Sequence, residues 1–277
     1  MTELRIIGTI AAQELRVNSR NKWTLGFAGI FAVLALTISY FGMVTAGEVG
    51  FQGFTRTSAS LLNLVLYLVP MVALTMSAVS FTGEKGASEL LFSQPVTRTE
   101  ILIGKIGGLF GAMAAATCFG FGLAGCVIAA NSGGEGSVAF LIFAGYSLLL
   151  ALVFLVIGAL VAAACESKAK ALGNALFAWF FFVLHYDLLV IGVTFVLKEH
   201  TANQFIFLSL FGNPVGMARV GSLMALGDPS MFGAAGAALV KFLGGQARAT
   251  AILLAGLASW VAIPTAAAAH LLNRQEL

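Results

Sequence analysis

Residues 138–164 read VAFLIFAGYSLLLALVFLVIGALVAAA, a run without a single charged side chain. A helix needs about 20 mostly apolar residues to cross roughly 30 Å of hydrocarbon, so this run is long enough to span a bilayer. Five more runs of the same kind lie at 23–44, 58–81, 106–130, 171–197 and 250–272. The breaks between them hold polar and turn-forming residues, such as Asn131-Ser132-Gly133-Gly134-Glu135-Gly136. No alternating dyad pattern of a membrane barrel is present. In lipid each backbone polar group must be satisfied internally, so the runs are expected to be helices. The expected fold class is all-α, a polytopic membrane protein with six transmembrane helices.

Composition agrees. Of 277 residues, 59% are hydrophobic and 10% charged, against about 25% charged in a soluble domain. A water-soluble enzyme, a nucleic-acid-binding domain and a disordered tail are all excluded on this ground. The net charge of +3 is spread along the chain, with no basic patch to hold phosphates, so the bilayer and not a nucleic acid is the expected partner. Cys118, Cys126 and Cys165 show no C-x-x-C spacing, and buried inert thiols are expected. The first 22 residues hold four Lys/Arg and no apolar core with a small-residue cleavage site, so no cleavable leader is expected.

Six crossings place both termini on one side. Segments 1–22, 83–105, 165–170 and 273–277 carry ten Lys/Arg, and 45–57, 131–137 and 198–249 carry five in a greater length. The positive-inside rule makes the first group cytoplasmic. Three of these segments stand out. In 1–22, Leu4, Ile7, Ala11 and Leu15 form a stripe with Arg5, Glu14, Arg16 and Arg20 off it, the pattern of an amphipathic helix in the cytoplasmic interface. The loop 83–105 is the longest charged stretch inside. The outer segment 198–249 contains an apolar run, 204–226, interrupted by Gly212-Asn213-Pro214. Proline removes a donor and clashes with the preceding turn, so a broken helix dipping in from the outer face, or lying on it, is expected in place of a seventh crossing.

Chemical motifs are few. Gly104-Lys105 is followed by Ile106 and lacks the earlier glycine of a phosphate loop, and neither H-E-x-x-H nor G-x-S-x-G occurs. No catalytic residue and no metal site are expected. Ionisable groups in the spans are nearly confined to His185-Tyr186-Asp187. An intramembrane Asp is costly and is either a functional group or the partner of a polar group on a neighbouring helix. Gly104/Gly108 and Gly107/Gly111 are overlapping G-x-x-x-G pairs, followed by Gly120, Gly122 and Gly125, which points to close helix contacts. Met217, Met224 and Met231 recur every seven residues. Thioethers select copper(I), but Asp228-Pro229 interrupts the helix, and an apolar stripe has the same spacing.

The loop over 84–105, EKGASELLFSQPVTRTEILIGK, resembles the signature of ABC-2-type transporter membrane subunits. In that family this stretch contains the coupling helix that sits in a groove of a separate ATPase. Its residue chemistry is compatible: Gln94-Pro95 ends one short helix, and Thr97 and Glu100 have capping-box spacing for the next. The likeness extends over the chain. Gln13-Glu14-Leu15-Arg16 through Asn21-Lys22-Trp23 resembles the family's N-terminal helix and first-span entry. Ser167-Lys168-Ala169-Lys170-Ala171 resembles its shorter cytoplasmic loop. Phe211-Gly212-Asn213-Pro214-Val215 with Arg219 resembles its outer segment.

The resemblance implies one ABC-2-type transmembrane domain over 1–277 in the bacterial inner membrane, with both termini cytoplasmic. It implies a homodimer, two copies of an ATPase holding ATP and Mg²⁺, and a periplasmic accessory protein. A narrower likeness, including Tyr186-Asp187, implies copper or sulfur supply to a periplasmic copper enzyme, nitrous oxide reductase. Expected ATPase-coupling residues are Glu84, Glu89, Gln94, Pro95, Arg98 and Glu100. Expected periplasmic contacts are Asn213, Pro214 and Arg219, with His185 and Asp187 as intramembrane polar groups. The spans offer few polar groups to line a pore, which favours mechanical transmission to the outer partner. A small-cargo exporter and a secondary transporter coupled through Asp187 are the alternatives.

Overall fold

A computed structural model describes residues 3–45, 51–82, 97–132, 136–226, 242 and 244–274. The described chain is helical throughout: α1 (Glu3–Ser19), α2 (Lys22–Thr45), α3 (Phe51–Thr82), α4 (Arg98–Ser132), α5 (Ser137–Ala163), α6 (Lys168–Phe180), α7 (Tyr186–Thr194), α8 (Glu199–Ser209), α9 (Pro214–Leu226) and α10 (Gln246–Arg274). A five-residue π-turn, Phe181–His185, joins α6 to α7, and a 3-10 turn, Leu210–Gly212, ends α8. Six stretches are long and apolar enough to cross a membrane: Lys22–Gly42, Thr57–Thr82, Arg98–Ala130, Ser137–Ala163, Lys168–Thr194 and Gln246–Arg274. The fold is the all-α polytopic one expected.

The uncharged run 138–164 forms the central helix. Helix α5 has 61% of its apolar window buried, the highest share of the six spans, because α3, α4, α9 and α10 all pack on it. Gly158 lets α3 approach so closely that a Cβ there would lie 2.9 Å from the Leu74 carbonyl oxygen. Ser77 Oγ donates to the Leu155 carbonyl across the same contact, at 2.7 Å. Small residues thus replace bulk where two backbones meet, as helix association in lipid requires. Phe31, Phe121, Phe140 and Phe143 form an edge-to-face cluster between α2, α4 and α5.

Helix α4 has 35 residues, about 52 Å of helix, well beyond hydrocarbon thickness. Its first two turns belong to the segment expected as loop; Gln246–Ala249 likewise opens α10 and is not outer loop. The surplus length of α4 receives α1. Ile7 and Ile10 sit over Gly104, Ala11 and Glu14 over Gly108, and Leu15 over Gly111. Residue numbers rise together on both helices, so α1 runs in the same direction as α4 and follows it for two turns. The G-x-x-x-G pairs are therefore the seat of the N-terminal helix, and Gly120 serves Phe31 in the same way. The inward face of α1 takes in Ile7, Ala11 and Leu15 of the expected stripe but not Leu4, and it adds Ile10, Glu14 and Asn18. Glu14 and Asn18 are its buried residues, and Leu4 is 82% exposed.

Both termini lie at one end of the bundle. Ile7 is beside Gly104 near the start of α4, and Arg98 Nη1 donates to the carbonyl of Leu272 near the end of α10. This is the even parity expected of six crossings.

Candidate functional site

The outer segment dips into the bundle and returns. Gln246 Nε2, at the start of α10, donates to the Met224 carbonyl near the end of α9 (3.2 Å). Trp260, fourteen residues further along α10 and so about 20 Å deeper, donates from Nε1 to the Phe211 carbonyl (3.0 Å). The chain therefore descends through α8, reverses at Gly212-Asn213-Pro214 and climbs back through α9. Of the two expected arrangements, the structure adopts the dip.

The reversal is built locally. Pro214 is the first residue of α9, where its missing N–H is no loss. Asn213 caps it: Oδ1 accepts the Val215 N–H at 3.0 Å. The Tyr186 ring lies over Gly212, where a Cβ would collide with the phenol, and Tyr186 Oη donates to the Ser209 carbonyl at 2.6 Å.

The fifth span supplies the counterpart through its own irregularity. In the π-turn the Tyr186 N–H bonds to the Phe181 carbonyl, five residues back. A π-turn displaces carbonyls from the α pattern, and Phe182 O accepts Asn213 Nδ2 at 3.0 Å. The same amide reaches Asp187 Oδ1 at 3.5 Å. Asp187 Oδ2 then accepts from Arg219 Nη1 at 2.9 Å. Four of the residues picked out separately in the sequence, Asp187, Asn213, Pro214 and Arg219, thus form one cluster around the reversal. His185 stands beside it, exposed, with its ring 4.2 Å from that of Phe180.

Asn213 and Pro214 are buried at the base of the dip, and Arg219 commits its guanidinium to Asp187. These residues were expected on a surface offered to a partner; Asn213 and Pro214 are buried instead, and the Arg219 side chain is 35% exposed. A backbone break at membrane depth must have its polar groups satisfied inside the protein, and these side chains do that. Met217 and Met224 are buried in the same contact, with Met217 Sδ against Gly256 of α10, so both serve as packing. Met231 lies outside the described residues.

A second polar cluster lies at the terminal end. Glu14 Oε1 accepts from Asn18 Nδ2 (2.8 Å) and from Ser80 Oγ of α3 (2.7 Å). Lys105 Nζ of α4 donates to the Ser80 carbonyl (3.0 Å) and lies 5.1 Å from the centre of the Phe81 ring. Sequence reasoning missed this group, although Glu14 and Asn18, four residues apart on an amphipathic helix, share one face. Of the expected coupling residues, Glu84, Glu89, Gln94 and Pro95 lie outside the described residues. Glu100 is buried and closes the capping box: its Oε2 accepts the Thr97 N–H at 2.7 Å and the Thr97 hydroxyl at 2.8 Å. With Arg98 bonded to α10, these two residues fix the first turn of α4.

Among the described residues, no three His, Cys, Asp or Glu side chains gather as a metal site. Cys118 and Cys126 are exposed, contrary to the burial expected, because both lie on outward faces of α4; Cys165 is buried and accepts from Asn174 Nδ2 at 3.2 Å.

Comparison with known proteins matches residues 8–277 to the family described as "ABC-2 family transporter protein". A relative in Pseudomonas aeruginosa, named "Probable ABC transporter permease protein NosY", is 35% identical over 98% of this chain and 99% of its own length. A protein of the same name in Stutzerimonas stutzeri is 36% identical over 71% of this chain and 73% of its own. With six apolar spans and a family match over nearly its whole length, this chain belongs to the ABC-2 transporter family and is an integral membrane permease subunit of an ABC transporter.

Proposed function

We propose that this chain converts ATP hydrolysis by a separate cytoplasmic ATPase into movement of its outer segment, in support of copper-site assembly in nitrous oxide reductase. The observation that carries this reading is the cluster at the reversal. It ties α8 and α9 to the fifth span through the Asp187–Arg219 pair and the Asn213–Phe182 bond, so that a shift of that span displaces the outer segment with it. The whole-chain likeness to NosY supports the biological end of the scheme, which is copper or sulfur supply to a periplasmic copper enzyme.

In this scheme the terminal end faces the bacterial cytoplasm, as the distribution of Lys and Arg requires. Two copies of the chain sit side by side in the inner membrane, each with one ATPase copy. ATP and Mg²⁺ belong to the ATPase, and this chain contributes no catalytic group. The segment 83–96 with Glu84, Glu89, Gln94 and Pro95 docks on the ATPase. Arg98 and Glu100 act behind it, holding its exit against α10 and in the first turn of α4. Nucleotide favours one arrangement of the helices, and a periplasmic accessory protein binds the two arrangements differently. Asn213, Pro214 and Arg219 act on that protein from beneath, by setting the position of the surface it meets. Asp187 is engaged by Arg219 and Asn213, which favours a structural role for it over a proton-carrying one.

The test is a gentle-detergent pull-down of the tagged chain from its own membranes, with identification of co-purifying proteins and assay of ATP hydrolysis. An ATPase is expected with the wild type and lost with Glu89→Arg/Arg98→Glu, and a periplasmic companion names the pathway. A chain that comes down without any ATPase contradicts the coupling assignment. Stimulation of hydrolysis by a copper or sulfur cargo without the companion points to an exporter instead.

A further inference from the structure

Among the described residues three charged side chains are buried, Glu14, Glu100 and Lys105, and all three stand at the terminal end. Glu100 is accounted for by its capping box. Glu14 and Lys105 lie on α1 and α4, and both reach a third helix at a single residue. That residue is Ser80, two positions before the end of α3. Glu14 Oε1 accepts from the Ser80 hydroxyl at 2.7 Å, and Lys105 Nζ donates to the Ser80 carbonyl at 3.0 Å. One residue is thus held on its side chain by an anion and on its backbone by a cation.

Each grip has a physical reason. The last turn of a helix carries the negative end of the helix dipole on its carbonyls, so an ammonium group is favoured there. Lys105 gives α3 that cation from a neighbouring helix, and the Phe81 ring, 5.1 Å away, steadies it. The Glu14 carboxylate is oriented by Asn18, whose amide donates both to Oε1 at 2.8 Å and to the Glu14 carbonyl at 3.0 Å. Buried charges are costly, and apolar side chains of similar volume often hold helices together as well or better. What the charged, hydrogen-bonded contact adds is one fixed register.

Register matters at this place because of how the helices pack. Helix α1 lies along α4 in a long contact, whereas α4 meets α3 over a short one and α1 scarcely touches α3. Helix α3 packs mainly on α5 and α6. Helix α2 bridges the two groups deeper in the bundle, where Thr24 Oγ1 meets Met76 Sδ at 3.8 Å. At the terminal end the polar link is Ser80. In the chain, residues 83–96 run from α3 toward α4, so their two flanks belong to two differently packed groups of helices.

We propose that Ser80, gripped by Glu14 and Lys105, is a pin that locks α3 to the α1–α4 pair, so that both flanks of the ATPase-docking segment answer nucleotide as one. Glu14 and Lys105 are positioning residues: they touch neither nucleotide nor cargo and act through Ser80. This deepens the coupling reading given above and rests on it.

The test uses the assembled complex in gentle detergent, with Glu14→Leu, Lys105→Met and the conservative Glu14→Gln, whose amide oxygen still accepts from Asn18 and Ser80. Phe143→Leu, in the buried aromatic cluster of α2, α4 and α5, is the control for lowered stability. The readouts are ATPase retained per chain and the change in hydrogen exchange that ATP with vanadate produces in residues 70–82 and in residues 98–110. In the wild type, Glu14→Gln and Phe143→Leu the two stretches are expected to respond in step. In Glu14→Leu and Lys105→Met the ATPase stays bound but the ratio of the two responses shifts about fivefold or more, the low end of ordinary coupling between sites. Glu14 also packs over Gly108, so if Glu14→Leu fails to assemble, Lys105→Met decides. Responses that stay in step in Lys105→Met, or that separate equally in Phe143→Leu, overturn the pin and leave the coupling reading standing. A wild-type complex without an ATPase, or one in which nucleotide alters neither stretch, overturns both.

Discussion

The two ends of this molecule solve the same problem by opposite means. At the terminal end, α1 and α4 are unbroken helices, and glycine lets them meet closely enough to bury Glu14 against Asn18 and Ser80. At the outer end, regularity itself is given up. A π-turn in the fifth span and an Asn-Pro break in the outer segment expose backbone groups, which bond to each other and to the Asp187–Arg219 pair. The first arrangement has little slack, since a Cβ added at Gly104 or Gly108 meets a backbone carbonyl of α1 at 3.1 or 2.5 Å. The second is a set of polar contacts with side chains still partly open. In the proposed scheme the first suits a region that hands on force and the second a region that moves. In that scheme, ATPase docking ahead of α4 would push on α1 and α4 as a single body, because α1 is seated on Gly104 and Gly108.

The largest effect is expected from Gly108→Leu. Even a Cβ at Gly108 lies 2.5 Å from the Ala11 carbonyl oxygen and 2.5 Å from Glu14 Cβ, so α1 is displaced outright and the cost exceeds the usual overpacking penalty of about 1–3 kcal/mol. Loss of α1 docking, read as a lowered Tm and loss of co-purifying ATPase, is the expected result. Gly122→Ala on the same helix, where nothing lies within 4 Å, leaves both unchanged. If the two variants behave alike, the close seat of α1 is not what distinguishes the terminal end.

Next comes Arg219→Met, which strands the Asp187 carboxylate. The pair is half-open, so the loss falls between the surface and buried limits, roughly 1–3 kcal/mol. The double variant Asp187→Asn/Arg219→Met recovers part of it, because no unpaired charge remains. Thermal unfolding of all three forms in detergent measures the difference. An Arg219→Met protein as stable as wild type means that water already screens the pair.

Asn213→Ala removes both the cap on Val215 and the bond to Phe182, at about 1–2 kcal/mol. Its signature is local: hydrogen exchange rises in the first turn of α9 and in the π-turn, with α1 unchanged. The smallest effect is expected from Glu100→Ala, which opens the capping box for about 0.5–1 kcal/mol. It weakens ATPase retention several-fold without changing exchange at the outer end.

Much of this was legible in the sequence. The spans are apolar runs of sufficient length, and the capping box at Thr97 and Glu100 is a spacing rule that local chemistry obeys. The break at Gly212-Asn213-Pro214 was readable because proline acts within one turn. The partners of these features were not. Asp187 and Arg219 are 32 positions apart, on helices whose juxtaposition depends on the dip. The glycine pairs announced a close contact but not that α1 would fill it. Nothing local in Phe-Phe-Val-Leu-His marks a π-turn; the acceptor it offers makes sense only beside Asn213. The inward turn of Glu14 was hidden because the stripe of Ile7, Ala11 and Leu15 was assigned to the bilayer interface, whereas it packs on the glycines of α4 and carries the neighbouring Glu14 inward with it.

The most direct measurement of transmission is the distance between spin labels at Leu208→Cys, an exposed position on α8, in the two copies of the assembled, cysteine-free complex. It is taken with and without ATP, in the wild-type background and with Asp187→Asn/Arg219→Met. A nucleotide-dependent change of several ångströms that disappears in the double variant while ATP hydrolysis continues is the predicted result. The same change in both backgrounds, or none in either during active hydrolysis, contradicts transmission through the Asp187–Arg219 cluster.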